Sequence, residues 1–240
     1  MKNQPSNWRA TAFKKNLTLT FLTALILLVK PFSSHAQSPI PDSDGAPLTE
    51  TGPASEVESG SRFYKLDWAN GTVTRKDGTT YQGLKLKYDL YDDEIVYEST
   101  ANAPLVPKYT DITGFTLKGL DGATDVKTFA NGFPAVDKLT PASFYQVIAA
   151  GKTQLLKKYA KTISTRTDPG DNSIVKSFVD EELYYVLKDG KMTAVKPDAK
   201  EIEAVLADKG TQVAAYVKSN KLGYKHDEDL AKIFAYYNTL

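Results

Sequence analysis

The 240-residue chain contains no cysteine. That absence excludes disulfides, thiolate catalysis, cysteine metal sites and the lipid-modified amino-terminal cysteine of a bacterial lipoprotein. Histidine is nearly as scarce, with only His35 and His226. His35 falls in a segment that reads as a removable leader, which leaves no multi-histidine metal site. His226 reads as a residue at the entry of a surface helix rather than as a member of a catalytic triad. There is no GxGxxG run and no Walker-type loop, so nothing here is built to cradle a nucleotide phosphate. No catalytic, cofactor-binding or metal-ligating residue is therefore assigned from the sequence, and no cofactor is expected.

What is present begins with three parts in the order of a secretion signal. Lys2, Arg9, Lys14 and Lys15 come first with no acid among them, and an apolar run follows from Leu17 to Val29. Ser34-His35-Ala36 then offers small residues at the positions a signal peptidase inspects, which predicts cleavage between Ala36 and Gln37. The apolar run is 13 residues and is ended by Lys30-Pro31, whereas a helix needs about 20 residues to cross the hydrocarbon. A leader over 1–36 is thus favoured over an anchor, and no membrane-spanning helix is expected after its removal.

Removing the leader changes the charge. The chain has 30 Lys and Arg against 29 Asp and Glu. Taking away Lys2, Arg9, Lys14, Lys15 and Lys30 leaves 25 basic and 29 acidic residues, a formal charge of −4. Counterion release from nucleic acid needs a basic protein, so no nucleic-acid partner is expected. The expected location is exported, in the periplasm or beyond it.

Residues 37–60 carry Pro39, Pro41, Pro47 and Pro53 among Ser, Asp, Glu, Thr and Gly. So little here can be buried that the composition predicts a disordered linker. Residues 61–240 then read as one globular domain. In Leu84-Lys85-Leu86-Lys87-Tyr88-Asp89-Leu90 every second residue is apolar, which places Leu84, Leu86, Tyr88 and Leu90 on one face of a strand. Asp92-Asp93 reads as a turn into Ile95-Val96-Tyr97. Asp77-Gly78 and Asp189-Gly190 sit between β-formers and predict hairpins with positive φ at both turn residues. Further strands are expected at 112–118, 127–129 and 144–149. Residues 153–163 suit a strand or a helix face, and the strand is favoured by its surroundings. After Pro197 the spacing becomes helical, around Ile202, Val205 and Leu206, then Val213, Tyr216 and Val217, then Leu230, Ile233, Phe234 and Tyr237. The predicted fold class is α+β: an antiparallel, curved sheet over 61–195, followed by helices over 197–240.

Four acidic groups invite a metal reading: Asp92-Asp93-Glu94, Asp121 with Asp125, Asp168 with Asp171-Asn172, and Asp227-Glu228-Asp229. None has the alternating oxygen ligands and closing Glu of a calcium loop. The first three read as turns and the last as a helix start. Tyr64, Tyr81, Tyr88, Tyr91 and Tyr97 alternate with charges, as packing residues of a half-buried sheet do. An outer-membrane barrel would need strands to the end of the chain, and this end is helical.

Three segments together carry a resemblance: Gly83 to Glu94, Leu183-Tyr184-Tyr185-Val186-Leu187, and Tyr216 to Leu222 with Tyr236-Tyr237-Asn238. They resemble an uncharacterised family of exported proteins of Bacteroidota. The resemblance implies an envelope location and brings no activity and no site residues. The expected function is a non-catalytic envelope protein that binds another envelope protein or a small ligand. A carrier of an apolar ligand or lipid in a groove between sheet and helices is the first alternative. A hydrolase using two carboxylates is the second.

Overall fold

The computed structural model of the chain describes residues 36–37, 39–49, 52–120 and 124–240. The strands are β1 (Ala36–Gln37), β2 (Gly45–Pro47), β3 (Ala69–Arg75), β4 (Thr80–Asp89), β5 (Glu94–Glu98), β6 (Pro104–Pro107), β7 (Ile112–Lys118), β8 (Val126–Ala130), β9 (Tyr145–Ala149), β10 (Gln154–Thr167), β11 (Ile174–Lys188) and β12 (Lys191–Val195). The helices are α1 (Ala199–Val205), α2 (Gly210–Asn220) and α3 (Asp227–Tyr237). One sheet runs in the order β12-β11-β10-β9-β8-β7-β3-β4-β5-β6-β2, with every neighbouring pair along that path antiparallel. The α+β class, with its sheet before its helices, is observed. No helix among the described residues is long and apolar enough to cross a membrane. Residues 1–35 of the expected leader lie outside the described residues. Ala36 and Gln37, the expected cleavage pair, run parallel to Thr80 and Tyr81 of β4 as β1.

Periodicity located most strands, and β10 takes the strand conformation favoured for 153–163. Alternation breaks once: Tyr81 and Leu84 are three apart, yet both are buried and both belong to β4. A bulge reconciles them. Gln82 and Gly83 oppose the single residue Thr72, and Gly83 takes φ +67°, so the extra residue returns Tyr81 to the inner face. Opposite it, Gly71 cannot be replaced: a Cβ there would lie 2.1 Å from the Thr116 carbonyl oxygen. The two Asp-Gly turns also differ. Asp189 and Gly190 both have positive φ, whereas at Asp77-Gly78 only Gly78 does. There Gly78 N–H donates to the Arg75 carbonyl, closing a four-residue turn that ends in a left-handed glycine.

The segment expected to be a disordered linker is corrected in part. Ile40 is buried, β2 pairs with β6 at the sheet edge, and Glu58 N–H donates to the Lys176 carbonyl of β11 at 3.0 Å. Composition missed this because the segment's polar residues are acceptors placed for particular donors. Asp42 receives Thr100 N–H at 3.1 Å and Asp44 receives the Tyr109 hydroxyl. A short edge strand also tolerates Pro47.

Three buried clusters hold the fold together. The first lies over β3, β4, β5, β7 and β8 and is largely aromatic. Phe115 and Phe129 stack at 4.7 Å, and Tyr88 meets each edge-on at 5.1 Å. The second joins one face of β10, β11 and β12 to the helices, through Leu155, Val186, Ile202, Leu206, Leu230, Ile233 and Phe234. The third lies on the other face of the same strands, where Phe133, Tyr145, Leu156, Tyr185 and Met192 meet under the 131–143 segment.

Caps place the helices. Asp198 accepts Glu201 N–H at 2.9 Å, one residue after Pro197, so Pro197 precedes the cap rather than starting the first turn. Lys221 closes α2 in the left-handed conformation. Asn238 accepts Thr153 N–H at 2.9 Å and donates to the Thr153 carbonyl at 2.8 Å, tying the end of α3 to the β9–β10 turn.

Phe129→Ala should lower the unfolding free energy by roughly 3–5 kcal/mol in urea denaturation, because its stacked and edge-on neighbours cannot collapse into the hole. Leu66→Ala, at a side chain 71% exposed, should stay within about 0.5 kcal/mol of the parent.

Candidate functional site

The two faces of β10 and β11 have different fates. In the register, Leu155, Lys157 and Tyr159 oppose Val186, Tyr184 and Glu182, while Leu156, Lys158, Ala160 and Thr162 oppose Tyr185, Leu183, Glu181 and Val179. The first set begins under the helices. The second begins under the 131–143 segment, whose Val136 and Leu139 exchange backbone hydrogen bonds at 3.2 and 2.9 Å. Leu156 and Tyr185 are fully covered there, but two to six residues along the strands the cover stops: Ala160 and Leu183 are half-buried and Thr162 is exposed. The step leaves a cleft of about 680 Å³. Its walls are mainly apolar, with Leu139, Ala160, Leu183, Ala194 and Val195, and its charged residues are Asp137, Lys138, Lys158, Glu181, Lys196 and Glu201.

Lys158 is the unusual group in this cleft, being only 2% exposed. Its Nζ lies 2.6 Å from Asp93 Oδ1 and donates to the Tyr88 hydroxyl at 3.1 Å. Tyr88 donates in turn to Asp93 Oδ1 at 2.6 Å, so three groups form a closed ring of contacts. Asp93 can reach inward because it occupies the β4–β5 turn with φ +58°. Burial pulls the Lys158 ammonium below its ordinary pKa, and Asp93 only partly offsets that. Burial, then Asp93, pushes Tyr88 well above the ordinary tyrosine value. Lys157, next in sequence, goes the other way. It too is desolvated, but Glu182 at 2.8 Å, Tyr184 and Asp227 at 3.3 Å outweigh burial and raise it.

Beside this ring lie two more tyrosines. Tyr185 donates to Asp137 Oδ2 at 3.2 Å on the cleft wall. Tyr145 packs edge-on to Tyr185 with centroids 5.7 Å apart, and its buried hydroxyl has no hydrogen-bond partner. Burial, then the charges of Asp93 and Asp137, pushes Tyr145 up to about 12. The site is therefore a cleft with mainly apolar walls, an exposed rim that includes Asp137, Lys138, Thr162 and Glu181, and the buried Lys158 in its lining.

A second polar centre lies at the β4–β5 turn. Asp89 is fully buried and bonds Arg62, which also bonds Asp92. The other Asp89 oxygen accepts Tyr91 N–H at 3.0 Å and Asp92 N–H at 3.2 Å. Burial pushes the Asp89 carboxyl up, and the backbone N–H groups and Arg62 draw it back. Asp89, Asp92 and Glu94 bring carboxylate oxygens within 4.8 Å of one another, the one such group among the described residues. The Arg62 guanidinium already supplies the cation that two of them need, so the arrangement is a structural ion cluster.

The four acidic groups of the sequence fall out as follows. Asp93 is at the turn and also reaches Lys158. Of Asp121 and Asp125, the first lies outside the described residues and the second is 3.8 Å from Lys127. Asp168 and Asp171 accept N–H groups two residues ahead, from Gly170 at 2.8 Å and Ser173 at 2.9 Å, as turn residues do. Asp227 opens α3 and also receives the Tyr184 hydroxyl at 2.8 Å. His226 is exposed at the entry of α3 and makes no side-chain cap. The tyrosines read as packing residues include Tyr81, Tyr88 and Tyr97, all buried. Lys158 and Tyr145 were not singled out. The available signal was a lysine pair, Lys157-Lys158, inside an apolar strand, which must put one charge on each face.

Compared with known proteins, the chain matches no family model, no curated protein and no solved structure.

Two outcomes follow. Arg62→Ala should cost roughly 3–5 kcal/mol by chemical denaturation, because it strands the buried Asp89 charge. Alkali should also act on the tyrosines. A group whose folded pKa lies above its unfolded value contributes stability that is complete below the unfolded pKa and is lost as pH rises through the folded one. For Tyr145 that window runs from 10.0 to about 12, and Tyr88, Tyr184 and Tyr185 are shifted in the same direction. Lys158, shifted down, opposes them in sign but is a single group. Stability should therefore fall above pH 10, with tyrosinate absorbance of these residues appearing together with the loss of near-UV circular dichroism rather than before it.

Proposed function

We propose that this is an exported, non-catalytic binding protein of the cell envelope, and that its ligand occupies the cleft beside β10–β12. The leader motif and the resemblance to exported proteins of Bacteroidota support the location. The cleft carries the binding reading. At about 680 Å³ it falls within the roughly 300–1,000 Å³ range of small-molecule sites. Its apolar walls with a few convergent polar groups suit a small amphipathic molecule, the apolar body against Leu139, Ala160 and Leu183 and the polar end toward Lys158 and Asp137.

The groove first considered for an apolar ligand, between sheet and helices, is filled by Leu155, Ile202, Leu206, Ile233 and Phe234, each at 0% exposure. A carrier reading therefore moves to the opposite face of the same strands. We further propose that the sheet is coiled. Lys161 N–H of β10 donates to the Leu90 carbonyl beyond β4 at 3.1 Å, and Tyr159 of β10 shares a core with Phe115 of β7, although β10 and β4 stand five places apart in the strand order. The two-carboxylate hydrolase gains no support, since Asp89, the one fully buried acid among the described residues, is held by Arg62.

The test is a filled cleft. Ala160→Trp places an indole over the half-covered step without touching either core. Titration with an anilinonaphthalene sulfonate dye should give saturable binding to the parent and an affinity weakened by about tenfold or more in the variant, with an unchanged far-UV spectrum. Equal binding by both proteins, or no saturable binding by the parent, would overturn the assignment.

A further inference from the structure

The outer edge of β11 is paired at both ends and open between them. Register sets which residues face outward. Lys188 opposite Lys191 closes the Asp189-Gly190 turn, so the main-chain groups of Lys188, Val186 and Tyr184 point at β12. Main-chain groups alternate sides along a strand, so those of Glu182, Asp180, Phe178 and Lys176 point the same way. The far end agrees. Phe178 N–H donates to the Ser59 carbonyl at 3.0 Å, and the Lys176 carbonyl accepts Glu58 N–H at 3.0 Å. Between these partners, Asp180 and Glu182 have no main-chain hydrogen bond on that side among the described residues.

Each partner leaves the edge for a reason in its own sequence. Continuing β12 past Val195 would bring Pro197 opposite Glu182, and proline has no N–H to donate. At the other end Gly60, with φ +85°, takes the 58–60 segment off the edge, and by Arg62 the chain lies beside the end of β4, its carbonyl accepting Leu90 N–H at 2.9 Å. The opening from Phe178 to Tyr184 is about 20 Å long, at roughly 3.4 Å per residue.

This opening adjoins the cleft. Val179, Glu181 and Leu183 alternate along the cleft face of β11. Glu181 and Leu183 line the cleft, and Val179 is 45% exposed, an apolar side chain left open to water. On the other face Asp180 is held by Lys161 at 2.6 Å and Glu182 by Lys157 at 2.8 Å. Lys138 and Lys196 line the cleft too, yet no ion pair joins Glu181 among the described residues.

We infer that the amphipathic ligand of the cleft is an extended polypeptide segment that adds to the edge of β11 at Asp180 and Glu182. This rests on the reading of the cleft as the binding site. The open groups are matched by main-chain donors and acceptors at strand spacing, which a polypeptide carries and an acyl chain lacks. Its side chains opposite Val179 and Leu183 are apolar, and the one opposite Glu181 is basic. A second copy of this edge does not fit, because two β11 strands joined here would set Asp180, Glu181 and Glu182 against the same three acids.

Fluorescence anisotropy of a labelled, end-blocked peptide, Thr-Val-Thr-Lys-Thr-Val-Thr, tests this. Its valines and lysine face the cleft when the N–H groups of its third and fifth residues face β11. Binding should be saturable. Methylating those two nitrogens should weaken it about tenfold or more. Asp180→Pro, which removes one outward N–H and spares the β10 ladder, should weaken it about fivefold, whereas Asp180→Ala, which keeps that N–H, should not. Glu181→Lys should weaken it roughly fivefold, and glutamate in place of the peptide's lysine should restore it. Saturable dye binding in the cleft without peptide binding overturns this inference alone and leaves the cleft reading standing. Neither dye nor peptide binding overturns both. Peptide binding indifferent to N-methylation and to Asp180→Pro overturns the edge assignment, as does a concentration-dependent dimer that Asp180→Pro dissociates.

Discussion

Fourteen consecutive residue pairs between β10 and β11 form the spine on which the rest is arranged. No other strand pair among the described residues is as long, and both faces of this one are put to use. One face buries Leu155 and Val186 under the three helices. The other buries Leu156 and Tyr185 under the 131–143 segment. Because strand side chains alternate, two adjacent leucines serve two separate cores, and two adjacent lysines end in two different environments. Lys157 meets Glu182 and Asp227 near the helices, while Lys158 meets Asp93 and Tyr88 at the cleft.

A buried cation needs a partner that stays put, and the partners here come from far along the chain. Asp93 is 65 residues from Lys158 and is held by a left-handed turn and by Phe144 N–H at 3.4 Å. Arg62 is likewise fixed to Asp89 across the start of the domain. Both pairs gather at the β4–β5 turn, where β4, β10 and the 61–64 segment converge. Leu90 N–H donates to the Arg62 carbonyl, and Lys161 N–H donates to the Leu90 carbonyl. The desolvation cost of these charges is offset only when all three segments are in place. The turn therefore joins the aromatic core to the spine and also holds Lys158, the buried cation of the cleft lining.

The segment before residue 61 shows how composition misleads. Its prolines, aspartates and serines carry little to bury, and such segments are disordered unless something else holds them. Here edge pairing and specific acceptors do so: β2 lies beside β6, Ser59 Oγ is 2.7 Å from Ser177 Oγ, and Ile40 supplies one buried side chain. The β6 residues and Ser177 each lie more than 50 residues along the chain from the residues they pair with. Local reading had no access to them.

The amino-acid order by itself determined the elements that depend on near neighbours. Strand alternation in Leu84–Leu90, the Asp189-Gly190 turn, the helix starts at Gly210 and Asp227 and the α+β order all rest on periodicity and backbone preference acting over a few residues. It also determined what the chemistry lacks, since a missing cysteine or phosphate loop is missing in any fold. Tertiary structure alone decided where the cover of β10 and β11 stops, that Lys158 is buried beside Asp93 while Lys157 faces two other acids, and that the outer edge of β11 stays open at Asp180 and Glu182. The physical reason is the same for each. Register across strands and burial by distant segments set these environments, and neither is a property of the residues considered one stretch at a time.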